Sequence, residues 1–282
     1  NSSNEYVSWT FRKAPKFFDI QTWSGNDTNP RVITHNLGCQ AGFVLIKDVT
    51  GAGTDWVAAH HSESTEVGYM TSDAFFTADY INTLTSSSFT LGNNVVNSTG
   101  RDYIAYIWAH NNSNGEFGPT AGQDIIKCGT FTGAGATEVS ISLGFEPQWF
   151  MVKKTSASDD WYIIDVMRGQ PVGSNVTLLS PNTSSAEQQS LIASPTPNGL
   201  ITKNFQSGDY MYVAIRRGPL TAPTSASNVF DIDTLGSTGD SADPGYRTTF
   251  PVDFALRKDT GSGNWEALTR LLQGTSLRPN DN

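Results

Sequence analysis

Four histidines, two cysteines and a scatter of aspartates are the residues of this 282-residue chain with the chemistry to ligate or catalyse. His60 and His61 are adjacent, and neutral imidazole is a common metal ligand. Neighbouring residues on a strand point to opposite faces, so the pair is read as solvent-exposed rather than as a metal site. His35 and His110 stand alone in sequence. Cys39 and Cys128 lack metal-ligand spacing and are too few for a disulfide framework. Buried free thiols are expected, because a bridge needs Cα atoms within about 7 Å. No HExxH, EF-hand loop or CxxC occurs, so neither a metal nor a cofactor is expected.

Hydrolytic chemistry fares no better. No Gly-x-Ser-x-Gly sits at a strand-turn-helix junction, as a nucleophile elbow requires. The carboxylates Asp159-Asp160, Asp231 and Asp233, and Asp240 and Asp243 fall on turn-like segments, where Asp bonds its own backbone. Gly51-Ala-Gly53 and Gly133-Ala-Gly135 read as turns between strands, not as phosphate loops. Arg12-Lys13 and Arg216-Arg217 read as strand-end cations facing solvent or a neighbouring repeat. The sequence therefore points to no catalytic residue and to a protein that is not an enzyme.

The aromatic residues are more informative. Trp56, Trp161 and Trp265 follow similar Asp- or Asn-containing turns at steps of just over 100 residues. Such rings could stack on sugars, but a position kept from repeat to repeat is more simply a core position, burying roughly 200 Å². Trp23 and Trp108 lie on strand patterns, for which burial is again the simpler reading. With Tyr69 they are the candidates for a ligand-facing or interface aromatic.

The elements that hold these residues are β. Only 16% of residues are charged and 37% are apolar, with 26 Gly and 31 aromatic residues. No apolar run approaches the length of a membrane helix, so membrane insertion is not expected. A net charge of −9 repels phosphate backbones and argues against nucleic acid as a partner. Phe43-Val-Leu-Ile-Lys47 and Trp149-Phe-Met-Val-Lys153 are short apolar runs of strand formers, expected to be central and buried. Phe254-Ala-Leu-Arg-Lys258 has the same ending and the same expectation.

These runs belong to an internal repeat. Ile20–Gly25 matches Cys128–Gly133, Leu37-Gly38 matches Leu143-Gly144, Trp56 matches Trp161, and Tyr103-Ile-Ala105 is matched to Tyr212-Val-Ala214. The predicted fold is all-β, built of tandem β-sandwich-like repeats of about 105 residues, two complete and a partial third. The boundaries are 17–124, 125–227 and 228–282. Residues 1–16 are read as the terminal strand of a preceding repeat or domain, with Glu5–Phe11 paired into a sheet, and the chain as a window on a longer polypeptide. Helical spacing shows once, at Trp265, Leu268, Leu271 and Leu272, ended by Gly274.

Ser8-Trp-Thr-Phe-Arg-Lys-Ala-Pro-Lys-Phe-Phe-Asp19 resembles a family of repeat proteins from tailed bacteriophages and prophages, described as tail or tail-fibre proteins. Gly115-Glu-Phe-Gly-Pro119, Gln123–Gly129, Leu143–Trp149 and Ala214-Ile-Arg-Arg-Gly-Pro219 are similar to the same family. The resemblance implies a virion structural protein of a tail fibre or surface appendage, extracellular on the particle. It further implies a homo-oligomer, with a trimer favoured, touching other virion proteins and host surface glycans. The family often carries an upstream concanavalin-like domain, whose ligand site maps onto no residue of this chain. Two alternatives stand beside this reading, a carbohydrate-binding module for host glycans and a capsid-surface fibre or decoration protein.

Overall fold

The structure is a computed structural model that describes residues 7–51, 55–63, 66–70, 75–113, 123–218, 225–228, 230–232, 248, 252, 254–258, 262, 265–269 and 278–279. Two groups of nine strands share one plan. The first comprises β1 (Phe18–Ser24), β2 (Arg31–Thr34), β3 (Ala41–Asp48), β4 (Val57–His60), β5 (Glu66–Tyr69), β6 (Phe75–Thr77), β7 (Ile81–Asn82), β8 (Ser88–Leu91) and β9 (Asp102–Ala109). The second comprises β10 (Ile126–Gly135), β11 (Val139–Ser142), β12 (Pro147–Lys154), β13 (Trp161–Asp165), β14 (Thr177–Leu179), β15 (Gln188–Gln189), β16 (Ile192–Thr196), β17 (Gly199–Lys203) and β18 (Phe205–Arg216). The first forms a six-stranded sheet in the order β1-β9-β3-β4-β5-β6 and a three-stranded sheet β2-β8-β7. The second forms β10-β18-β12-β13-β14-β15 and β11-β17-β16, the same order element by element.

Alternation explains each sandwich. On β12 and β18, Phe150, Val152, Tyr210, Tyr212 and Ala214 point to one side. There they meet Ile141, Ala193 and Leu200 of the small sheet in one buried cluster. On the other side Trp149, Met151, Met211 and Val213, joined by Trp161 and Ile163 of β13, enter the core of the first sandwich. The large sheets of the two sandwiches thus share a dry apolar layer. Phe43 meets Trp161 at 6.1 Å between ring centroids, and Phe75 meets the same indole at 6.1 Å. The Trp161 indole N–H crosses the boundary to donate to the Tyr69 carbonyl oxygen at 3.1 Å. A Cβ on Gly42 would lie 2.5 Å from Cys128 Sγ; only glycine lets β10 lie this close to β3.

Residues 7–13 form no strand, which corrects the expected terminal strand for its described part; residues 1–6 lie outside the described residues. The segment crosses from one sandwich to the other instead. Phe11 packs edge-on against Trp108 at 5.6 Å and Trp149 at 5.8 Å. Trp9 donates its indole N–H to Asp165 Oδ2 at 3.1 Å, with the Arg168 guanidinium 5.1 Å from the ring centroid. These apolar rings find the groove between two sheets more favourable than an isolated strand edge.

Register corrects the repeat alignment at one place. Trp23 pairs with Tyr103 and its counterpart Phe131 with Tyr210. Tyr103 therefore corresponds to Tyr210, not to Tyr212. A slip of two residues leaves every side chain on its own face, so the pattern alone could not detect it.

Beyond the second sandwich, β19 (Phe254–Lys258) and β20 (Trp265–Thr269) form a two-stranded hairpin. Lys258 pairs with Trp265 as Lys153 pairs with Trp161. The expected helix is a strand at Trp265–Thr269; Leu271, Leu272 and Gly274 lie outside the described residues, as do Asp233, Asp240, Asp243, Ala52-Gly53 and Gly115–Pro119. Phe254 and Leu256 are exposed and Trp265 is 41% exposed. The expectations of a buried strand and of a core indole therefore fail here, because no second layer covers the hairpin among the described residues.

Candidate functional site

Among the places in the described residues that combine burial with ionisable groups, two are candidates for a site. The first is a cavity of about 170 Å³ near one end of the first sandwich, lined by Ile46, Asp48, Asp55, Val57, Tyr69, Val95, Val96 and Tyr103. Asp48 closes strand β3, and its carboxylate accepts N–H bonds from Thr50 at 2.9 Å and Gly51 at 3.1 Å and pairs with Arg101. Burial alone would raise its pKa; the guanidinium and the two amides more than offset this and hold it below the usual carboxylate value. Tyr69 is pushed up to about 12, first by burial, then by its hydrogen bond with Tyr80 and the nearby Asp55 carboxylate. Its phenol stays protonated at any physiological pH.

The corresponding place in the second sandwich carries different side chains. Lys154 pairs with Tyr210 as Asp48 pairs with Tyr103, and Tyr162 opposite Val152 takes the position of Val57 opposite Ile46. Lys154 Nζ sits 5.9 Å from the Tyr210 ring centroid and 3.3 Å from Gln206 Oε1. The Tyr162 hydroxyl donates to Asp159 Oδ1 at 2.7 Å. The second sandwich places an ammonium and a phenol where the first has a carboxylate and a valine.

The second place is a stack of imidazoles where the sandwiches meet. Ring centroids of His60 and His61 are 4.9 Å apart, and those of His61 and His110 are 4.4 Å apart. His60 is buried, so the expected exposed pair is corrected. His61 lies in the turn beyond β4, where strand alternation no longer separates the rings. His60 Nε2 faces the Tyr212 carbonyl at 3.2 Å, and Nδ1 lies 2.6 Å from the Ser62 hydroxyl and 3.3 Å from the Ser62 N–H. These partners fix a neutral imidazole with its proton on Nε2. Burial, then the neighbouring His61, pushes His60 down to about 3. Burial and the same neighbour push His110 to about 4, and burial lowers His61 as well. Each nitrogen that these bonds engage is aimed at a protein partner, and among the described residues no group of three or more His, Cys, Asp or Glu is placed to hold a metal ion.

Cys39 and Cys128 are both free and buried, with burial raising both thiols above their ordinary value. Such thiols are poor nucleophiles. Of the candidate aromatics, Trp23 and Trp108 are buried, so neither offers a face to a ligand. Trp23 stacks on Tyr103 at 5.6 Å, and its indole N–H donates to the Val96 carbonyl oxygen. Trp108 packs against Phe18 and Phe43. Tyr69 alone of the three reaches a cavity. Trp161 is fully buried between the sandwiches, while Trp56 is half-buried, stacked on Tyr106 with Lys47 over its ring. Sequence reasoning missed the histidine stack and the cavity. The first left no signal in linear spacing. The second was visible as Asp48 against Lys154 and Val57 against Tyr162 once the repeats were in register.

The protein is thus all-β, and its described residues form two like sandwiches joined through their large sheets and a further two-stranded sheet. It belongs to the DUF7483 family, a domain of unknown function, whose match spans residues 1–219. That span takes in the N-terminal segment and both sandwiches and stops before β19. No curated protein and no solved structure matches the chain.

Proposed function

We propose that this chain is a non-enzymatic structural protein of a bacteriophage virion, in a tail fibre or similar surface appendage that contacts the host envelope or neighbouring virion proteins. The observation that carries the reading is the joint between the sandwiches. Trp108, Trp149 and Trp161 are buried in or beside it, and the segment holding Trp9 and Phe11 ties both sheets together. A joint this apolar holds two domains in one fixed orientation, whereas domains on a linker move relative to one another. Fixed spacing is what an external fibre requires. The motif resemblance of Ser8–Asp19 and Ala214–Pro219 to phage tail proteins supplies the setting, with a homo-oligomer, a trimer favoured, as the working assembly.

Labelling purified particles with an antibody to residues 1–219 tests the placement. Decoration of the tail or its fibres supports the reading, decoration of the capsid favours the capsid-surface alternative, and absence from the particle overturns both. The carbohydrate-binding alternative now rests on Tyr69, the half-buried Trp56 and the 41% exposed Trp265, because burial removes Trp23, Trp108 and Trp161 as stacking platforms.

A further inference from the structure

The cavity of the first sandwich has a counterpart that shows what fills such a place. In the second sandwich the chain's own ammonium, Lys154 Nζ, lies 5.9 Å from the Tyr210 ring centroid. Tyr162 takes up the adjacent space. Tyr103 keeps the position of Tyr210 in the first sandwich, but both fillers are gone. The lysine is replaced by Asp48, a carboxylate paired with Arg101, and the tyrosine by Val57, which removes a ring. A second carboxylate, Asp55, lines the same cavity.

We propose that this cavity is a binding site for a primary alkylammonium group the size of a lysine side chain. An aromatic face attracts a cation, most strongly where water is excluded, and Tyr103 and Tyr69 both line the space. Carboxylates complete the electrostatics. Asp48 is held charged and in place by Arg101 and the Thr50 and Gly51 amides, while Asp55 stands nearer solvent. Ile46, Val57 and Val96 form an apolar wall for the methylenes of the ligand. At about 170 Å³ the cavity is well below the 300–1,000 Å³ typical of pockets for drug-sized ligands. It therefore suits one short chain. Val95, at the rim, is 46% exposed, which leaves a way in. The site does not depend on where in a particle the chain sits, so the two proposals can fail separately.

The ammonium can come from a free small amine or from a lysine of another protein. Titrating the full chain with n-butylammonium chloride, with n-butanol as the neutral control, reads the shared chemistry by NMR shifts of Tyr69 and Val57. Saturable binding with a Kd of about 1 mM is expected, with n-butanol at least about tenfold weaker. Val57→Tyr, which copies the second sandwich, should abolish binding. Asp55→Asn, an exposed change with little effect on folding, should weaken it severalfold. Tighter binding of Nα-acetyl-lysine methylamide than of n-butylammonium would point to a partner's lysine, and the reverse to a free amine; both uphold the site. No saturation, equal response to n-butanol, or unchanged binding in Asp55→Asn would overturn it.

Discussion

Acid should loosen the joint between the sandwiches, and His60 sets the scale. Its ring is neutral in the fold, with Nε2 directed at the Tyr212 carbonyl and Nδ1 accepting from Ser62. Protonation puts a hydrogen on Nδ1, sets it against the Ser62 N–H, and leaves a charge buried beside His61 and His110. The charged neighbours that bear on the stack are Lys127 and Asp124, and Cys128, whose backbone N–H and carbonyl engage His110 and His61, stays a neutral thiol. An ordinary histidine titrates near 6.5, and this one near 3. The unfolded chain therefore takes up the proton first, and stability present above pH 6.5 is lost as pH falls toward 3. With those two values the loss attributable to His60 is about 2 kcal/mol at pH 5 and approaches about 5 kcal/mol below pH 3. His61 and His110 act in the same direction. Urea midpoints at pH 8 and pH 5, for the parent chain and for His60→Gln, measure the effect. Glutamine can still donate to the Tyr212 carbonyl but does not titrate, so the gap between the two pH values should shrink by about 2 kcal/mol. Equal pH dependence in the two proteins would refute the reasoning. Asp19 and Asp48, both held below the usual carboxylate value, lose their contribution only at lower pH and do not blur the comparison.

Other perturbations probe the same architecture. Leu45→Ala empties a buried position on central strand β3 and should cost about 2–5 kcal/mol, read as a shift in denaturation midpoint. Phe11→Ala removes a half-buried ring wedged between Trp108 and Trp149; a loss of about 2 kcal/mol is expected, less than for a fully buried phenylalanine, with changed indole fluorescence. Gly42→Ala drives a methyl to 2.5 Å from Cys128 Sγ and 2.9 Å from His110 Cβ and should lower the melting temperature by several degrees, an effect that Cys128→Gly would relieve only in part. Purified chain incubated with host surface polysaccharide should release no reducing ends, and release abolished by one carboxylate substitution would contradict the non-enzymatic reading.

How far the sequence revealed this structure depends on the distance over which each feature is encoded. Phe43–Lys47 and Trp149–Lys153 announced themselves as central strands because burial on both faces demands a continuous apolar run. Trp265 carried the same local signature and yet lies 41% exposed, since the run specifies a strand but not the layer that covers it. The match of Tyr103 to Tyr212 was out by two, the one error a period-two pattern conceals. Trp23 and Trp108 were left open between core and ligand platform; only the opposing sheet decides which face of a strand is dry. The histidine stack depends on the turn after β4 meeting the end of β9 at the joint, and no spacing along the chain records that.

The joint also fixes the order in which the molecule can be made. Trp9 bonds to a residue 156 positions away and His60 to one 152 positions away, so these contacts wait until nearly all of residues 1–219 have left the ribosome. Within each sandwich the hairpins are short-range and can pair early. Docking comes last, and it closes very long loops, a topology associated with slow folding. Until then the first sandwich carries Phe43 and Phe75, and the N-terminal segment Phe11, with their partners Trp161 and Trp149 in the second sandwich still unsynthesised. At a synthesis rate of about 5–20 residues per second, that exposed sheet persists for several seconds on every nascent chain, long enough for two neighbouring chains on one message to meet.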